Sequence, residues 1–424
     1  MSRLLGVQFF LAYSLFGLAQ PVLCFAQREA GSTTASWTAN PELVAKASKR
    51  KGFNYQESAV PSYSLPNHAV VDGQKISREQ WQGENREKLL NIFREQVYGW
   101  RPESSYKVKY RTVKEQLGVF DGKADGKQIE VVITREGRAF VFPVTLFVPA
   151  SSSSQKAVPA IVHINNRYFI SLEKAASEPD PFWPVETIVS QGFATASFHT
   201  SDVDPDNKDG YSQGIRSFLA GGAEPKPNDW RSLSAWGWGA SRVADLLAEQ
   251  PQVNASQIAV SGHSRGGKAA LWAAAEDKRF ATAYSNNSGC GGAALSRRRF
   301  GETVARITTV FPHWFNENFA AYGDREDQLP IDQHEVIGLI APRGVYVASS
   351  DEDLWADPRG EFLALASSRP YFEIFGASSI SNQSMPGLNG QLIVGQTGYH
   401  IRQGGHGLLA EDWERFLKFY KQVL

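Results

Sequence analysis

Gly262-His263-Ser264-Arg265-Gly266 follows an apolar, β-branched run, Gln257-Ile258-Ala259-Val260-Ser261, and precedes an alanine-rich stretch from Gly267 to Ala275. A strand that turns sharply into a helix, with serine at the apex, lifts a hydroxyl above a sheet edge; small flanking residues let the crowded turn close. G-x-S-x-G is short enough to arise by chance, and it is the strand–turn–helix setting that gives it weight. A serine hydroxyl is a poor nucleophile until a base takes its proton, so the chain must also supply a histidine and an acid to orient it. The chemistry expected of Ser264 is acyl transfer.

The chain has eight histidines. Three follow Ser264 with enough intervening chain: His334, His400 and His406. His334 sits in a charged helical stretch and reads as structural. His400 lies inside a strand-like run. His406 stands in Gly404-Gly405-His406-Gly407, a loop between the last strand and the last helix, where glycines let the backbone carry an imidazole toward the serine. His406 is the expected base and His400 its rival. The acid should follow the strand ending at Ser349 or Ser350, which leaves Asp351, Glu352, Asp353 and Asp357. A short loop turning back toward the histidine favours the second half of Asp351-Glu352-Asp353-Leu354-Trp355, and spacing alone leaves the choice open.

These residues need a scaffold. Residues 157–164 form a continuous apolar run of the kind buried in a parallel sheet. Further strands are expected at 130–134, 140–148, 192–198, 258–261 and 344–349, with a strand-like stretch at 391–401. Helices are expected at 78–97, 236–249 and 411–423. Trp413, Phe416, Leu417 and Tyr420 share one face of the last helix. Alternating strand and helix predicts an α/β fold of the α/β-hydrolase type, a mostly parallel sheet flanked by helices on both faces. The predicted organisation is a signal peptide at 1–26, an N-terminal extension at 27–100 packing on the catalytic domain, and an α/β-hydrolase catalytic domain at 101–424.

Arg3, the apolar Leu4 to Leu23 and a small-x-Ala site at Cys24-Phe25-Ala26 carry the signal-peptide reading. They predict a secreted or periplasmic protein, with no membrane association once the signal is removed. Cys290 is then the only cysteine of the mature chain, so no intrachain disulfide forms; with no base near it in sequence, Cys290 reads as a packed thiol. Lysine plus arginine and aspartate plus glutamate balance at 44 each, which gives no reason to expect a nucleic-acid surface. No H-E-x-x-H and no paired cysteines occur, so neither a metal nor a cofactor is expected. A monomer is expected. The aromatic share, 12% with 11 Trp, is mostly core but also suits sugar-ring stacking.

Several segments together resemble bacterial glucuronoyl esterases, carbohydrate esterase family 15. They are Gly262-His263-Ser264-Arg265-Gly266-Gly267-Lys268, Asp277-Lys278-Arg279-Phe280, Ser288-Gly289-Cys290-Gly291-Gly292-Ala293-Ala294-Leu295, Phe311-Pro312-His313-Trp314-Phe315-Asn316, Trp355-Ala356-Asp357-Pro358 and Gly405-His406-Gly407-Leu408. The resemblance runs from about Phe53 to the C-terminus. It implies a serine esterase that cleaves the ester joining (4-O-methyl-)D-glucuronic acid of glucuronoxylan to a lignin alcohol. It also implies Ser264 as nucleophile, His406 as base, Arg265 at the oxyanion hole, and Lys268, Glu302 and Trp355 as sugar contacts. Many members carry the triad acid at the position that is Asn287 here. Others place it two residues before the tryptophan, which here is Asp353.

Each of those sugar contacts has a plainer reading beside it. Lys268 shares a helix face with Ser264, although a lysine near a helix start is usually on the surface. A cation opposes the helix dipole there, which suggests an offsetting role. Glu302 could pair simply with Arg297, Arg298 or Arg299, and Trp355 could be core. A related carbohydrate or acetyl xylan esterase, and a catalytically inactive carbohydrate-binding relative, are the competing functions. An intact Ser264, Asp353 and His406 argue against the second.

Overall fold

The computed structural model describes residues 36–382 and 385–424, which lie within one compact unit. The expected signal peptide falls outside the described residues. Two short strands, β1 (Val70–Val71) and β2 (Gln74–Lys75), pair as an antiparallel ribbon. The other ten strands form a single sheet. In chain order they are β3 (Lys107–Gly118), β4 (Ala124–Arg135), β5 (Arg138–Pro149), β6 (Val158–Asn165), β7 (Ala194–His199), β8 (Val253–His263), β9 (Phe280–Asn286), β10 (Gly344–Ser350), β11 (Gln391–Val394) and β12 (Thr397–Arg402). Across the sheet they run β11-β12-β10-β9-β8-β6-β7-β5-β4-β3.

The central block is parallel, with β7, β6, β8, β9, β10 and β12 each aligned with its neighbour. The meander β3–β4–β5 and the edge strand β11 are antiparallel. Side chains alternate between two cores, as strand geometry requires. Val260, Ala283, Val345 and Val347 point into one, with Trp236 and Trp272. Ala259, Tyr284, Tyr346 and Ala348 point into the other, with Trp413 and Phe416. Helices Ser232–Ala248 and Arg265–Glu276 cover the first face, and helix Ala410–Val423 covers the second. The result is the α/β-hydrolase fold, a mostly parallel sheet with helices on both sides.

Two local readings change, and one strand is added. The helix expected at 78–97 contains two wider turns, Trp81–Asn85 and Arg94–Tyr98, either side of a regular segment at Arg86–Phe93. Each takes up an extra residue and keeps Trp81, Leu89, Phe93 and Val97 buried. The stretch at 391–401 is a hairpin rather than one strand. It turns at Gly395, where φ is +54° and an added Cβ would lie 2.2 Å from the Ser378 carbonyl oxygen. Strand β3, not among the expected strands, is a charged sheet edge exposed along most of its length, with only Val108 and Tyr110 turned against the core.

Candidate active site

Strands β8, β9, β10 and β12 are parallel neighbours, so their C-terminal ends open on one edge of the sheet. The loops leaving those ends carry Ser264, Asn287, Asp353 and His406. Ser264 stands between β8 and helix Arg265–Glu276 with φ 56° and ψ −124°, a conformation that a non-glycine residue adopts only when its surroundings force it. The glycines explain the forcing. A Cβ at Gly262 would lie 2.2 Å from the Gly266 carbonyl carbon, and one at Gly266 would lie 2.7 Å from the Ile164 carbonyl oxygen. The turn closes only because both side chains are absent.

His406 Nδ1 lies 2.6 Å from Asp353 Oδ2. That contact commits Nδ1 and leaves Nε2 as the nitrogen available to the serine. Ser264, His406 and Asp353 line one cavity of about 380 Å³, together with Arg265, Lys268, Glu302 and Trp355. All seven residues singled out from the sequence therefore meet in one place. Of the other acids of the loop, Glu352 is exposed and does not line the cavity, and two are engaged elsewhere. Asp351 accepts from the Gly404 backbone N–H, and Asp357 pairs with Arg298 and caps helix Pro358–Ser367. His400 is fully buried between Tyr346 and Asp412, and His334 is bonded to the Pro66 carbonyl. Neither reaches the cavity wall.

Asn287 is buried, with φ +45°, and its amide donates to Ser350 Oγ at 2.5 Å and to Asp353 Oδ2 at 3.2 Å. The oxygen that faces His406 is thus steadied from behind. Beneath His406 packs the His263 ring, with centroids 4.5 Å apart. Burial, helped by the neighbouring His406, holds the His263 ring well below its usual pKa, so it brings no positive charge against His406.

Arg265 begins the elbow helix, where backbone N–H groups lack intrahelical acceptors. Its guanidinium is fixed by Asp206 Oδ2 at 2.5 Å and by the Asn166 carbonyl at 2.7 Å. Asp206 is held in turn by His313 and Trp314, 2.9 and 2.7 Å away. Burial would raise the Asp206 carboxyl, but those hydrogen bonds and the Arg265 charge bring it below its ordinary value. The positioning role of Asp206 went unread in the sequence, since it lies in a loop with no motif. Its partners lie in the Phe311–Asn316 segment, which was the one available signal.

Lys268 is not a surface residue. It is 3% exposed, donates to the Ser288 and Cys290 carbonyls, and stands 3.9 Å from Glu302. Arg297, Arg298 and Arg299 pair with other carboxylates, which leaves Glu302 facing the cavity. Burial raises the Glu302 carboxyl, against the pull of Lys268 and a hydrogen bond from Trp355. Trp355 is half-buried and edge-on to Phe53. Cys290 is buried, and burial pushes its thiol well up. Among the described residues no group of three or more histidines, cysteines or acids could hold a metal, and no helix is long and apolar enough to cross a membrane.

Behind Asp353, Glu361 is fully buried against Ser349 Oγ at 2.6 Å and the Gly289 N–H at 2.9 Å. Burial pushes its carboxyl up to about 8, so at neutral pH it adds no second negative charge beside Asp353. A carboxyl that holds its proton more tightly when folded favours folding below the ordinary carboxyl range. That contribution is lost as pH rises toward 8. Glu361→Gln, neutral at every pH, is expected to melt close to wild type at about pH 5 and above it at about pH 9. Thermal unfolding at the two pH values checks this; an equal difference at both would contradict it.

An α/β-hydrolase sheet with serine, acid and histidine in that chain order on its C-terminal edge is the architecture of a serine hydrolase. The model of the family described as glucuronyl esterase, fungi, matches residues 131–376. A carbohydrate esterase from an unknown prokaryotic organism is 35% identical over 416 residues, 91% of this chain and 95% of that one. A glucuronoyl esterase from Solibacter usitatus superposes with a TM-score of 0.80 at 36% identity, covering 86% of this chain and 99% of the other. A carbohydrate esterase family 15 enzyme from a marine bacterial metagenome, described as promiscuous, gives 0.78 at 34% identity, over 88% and 100%. The chain belongs to the glucuronoyl esterase family and is a carboxylic ester hydrolase.

Proposed function

We propose that this protein is an exported esterase that cleaves the ester between (4-O-methyl-)D-glucuronic acid of glucuronoxylan and lignin alcohols, through an acyl-enzyme on Ser264. The observation that carries the reading is the cavity that joins Ser264 and the His406–Asp353 pair to the buried Lys268–Glu302 pair.

In the first step His406 Nε2 takes the Ser264 proton as Oγ attacks the ester carbon. The oxyanion that forms is met by the Arg265 backbone N–H and by its anchored guanidinium, whose attraction grows as charge develops. Collapse expels the alcohol, which takes the proton back from His406. Water, deprotonated by the same imidazole, then attacks the acyl-enzyme; the acyl–Oγ bond breaks, His406 returns the proton to Ser264 Oγ, and glucuronate is released. Asp353 holds the imidazole in the tautomer both steps need.

The esterified carboxyl is neutral, so recognition must rest on ring hydroxyls and ring faces. Lys268, held by the Ser288 and Cys290 carbonyls, and Glu302 opposite it present a donor and a carboxyl in fixed positions, and Trp355 adds an aromatic wall. A galacturonate ester, epimeric at one hydroxyl, is expected to lose about ten- to a hundredfold in kcat/KM, roughly 1–3 kcal/mol for a buried group left unpaired. Acetyl esters, with no ring, are expected to fall further, and Lys268→Ala to flatten the preference. Turnover of benzyl glucuronate, benzyl galacturonate and an acetyl ester tests this. Equal kcat/KM for glucuronate and acetyl esters would overturn it and favour a general carbohydrate esterase.

A further inference from the structure

Lys46, Lys49, Arg50 and Lys51 fall within six residues that hold no acid, at the end of helix Pro41–Ala47 and in the turn after it. All four are exposed, and none forms an ion pair among the described residues. The acids nearest in sequence offset them only in part. Glu57 is taken by Arg298 and Arg359, and Glu42, one helical turn before Lys46, faces that lysine alone and leaves Lys49, Arg50 and Lys51. In a chain balanced at 44 charges of each sign, this is a local excess of positive field.

Arg50 ties that excess to the reaction cavity. Its guanidinium lies 3.7 Å from the Trp355 ring centroid and 4.8 Å from that of Phe53. Trp355 lines the cavity with Ser264 and His406. Across the site Arg306, on helix Val304–Val310, acts on Glu302 and also makes no ion pair among the described residues.

The ester being cleaved carries no charge, so cations at this edge have no use for the scissile unit itself. A neighbouring uronic acid that is free, or whose ester has already been hydrolysed, is a carboxylate. We propose that the strip Lys46–Lys51 docks unesterified uronate carboxylates of the same polysaccharide, so that the enzyme favours acidic polymer over small neutral esters. This rests on the glucuronate-ester reading above.

The test compares kcat/KM for benzyl glucuronate and for a partly methyl-esterified glucuronoxylan, at about 20 and about 300 mM NaCl, where screening changes most for exposed charges. The variant is Lys46→Gln/Lys49→Gln/Lys51→Gln, which leaves Arg50 on Trp355. Expected are a five- to tenfold loss on the polymer, from salt or from the variant, with little further loss when the two are combined, and benzyl glucuronate unchanged within about twofold. Polymer hydrolysis indifferent to both salt and variant would overturn the docking strip while leaving the esterase reading intact. An equal loss on both substrates would also overturn it. Failure of wild type to cleave benzyl glucuronate would overturn both readings.

Discussion

Ser264→Ala is expected to abolish turnover while leaving the fold and sugar binding in place. The side chain stands at a turn whose shape is enforced by Gly262 and Gly266, and by the Ser264 N–H bonded to the Asn286 carbonyl at 2.8 Å. An alanine keeps that backbone bond and removes only Oγ. Lys268, Glu302 and Trp355 are untouched, so binding should survive. Loss of the nucleophile in a unit that works together typically costs several orders of magnitude in kcat, the residue being whatever the oxyanion site does for water. Steady-state kinetics on benzyl glucuronate, with thermal unfolding as a control for folding, measures this. Retention of more than about a tenth of wild-type kcat would contradict the assignment.

Asp353→Asn is expected to lower kcat by about 10³-fold or more with little change in KM. Asp353 Oδ2 accepts from His406 Nδ1 at 2.6 Å and from the Asn287 amide at 3.2 Å, and its side chain is almost wholly buried. An amide here removes the anion that stabilises the imidazolium. It can also offer an N–H to Nδ1 and fix the wrong tautomer. Asn287→Ala should cost far less, because it removes a prop and leaves the anion. A kcat for Asp353→Asn within about tenfold of wild type, or a larger loss in Asn287→Ala, would move the role of the acid elsewhere.

The parts of the site legible in the sequence are those encoded locally. Gly262-His263-Ser264-Arg265-Gly266 shows its turn because the steric reason for each glycine lies within a few residues of Ser264. His406 shows itself because glycines flank it and a helix follows. Asp353 was harder to isolate among four acids, since its claim depends on β10 lying beside β12, and neighbourhood in a sheet is a non-local fact. Once strand order is known, Asp351 and Asp357 drop out by their own bonds.

What stayed hidden depends on burial and long-range packing. No spacing rule shows that the Ser288 and Cys290 carbonyls enclose Lys268, that Asp206 anchors Arg265, or that burial raises the Glu361 carboxyl behind Asp353. Strand β3 escaped for the opposite reason. Val108 and Tyr110 do alternate with Lys107, Lys109 and Arg111, but beyond them the strand is a charged, exposed edge with little apolar pattern to mark it.

Acid quenching of wild-type enzyme during turnover of an alkyl 4-O-methyl-glucuronate, followed by intact mass and peptide mapping, looks directly at the bond the mechanism requires. A glucuronoyl adduct on the peptide containing Ser264, absent from Ser264→Ala, is the predicted result. An adduct on a different side chain, or one that persists in Ser264→Ala, would contradict it.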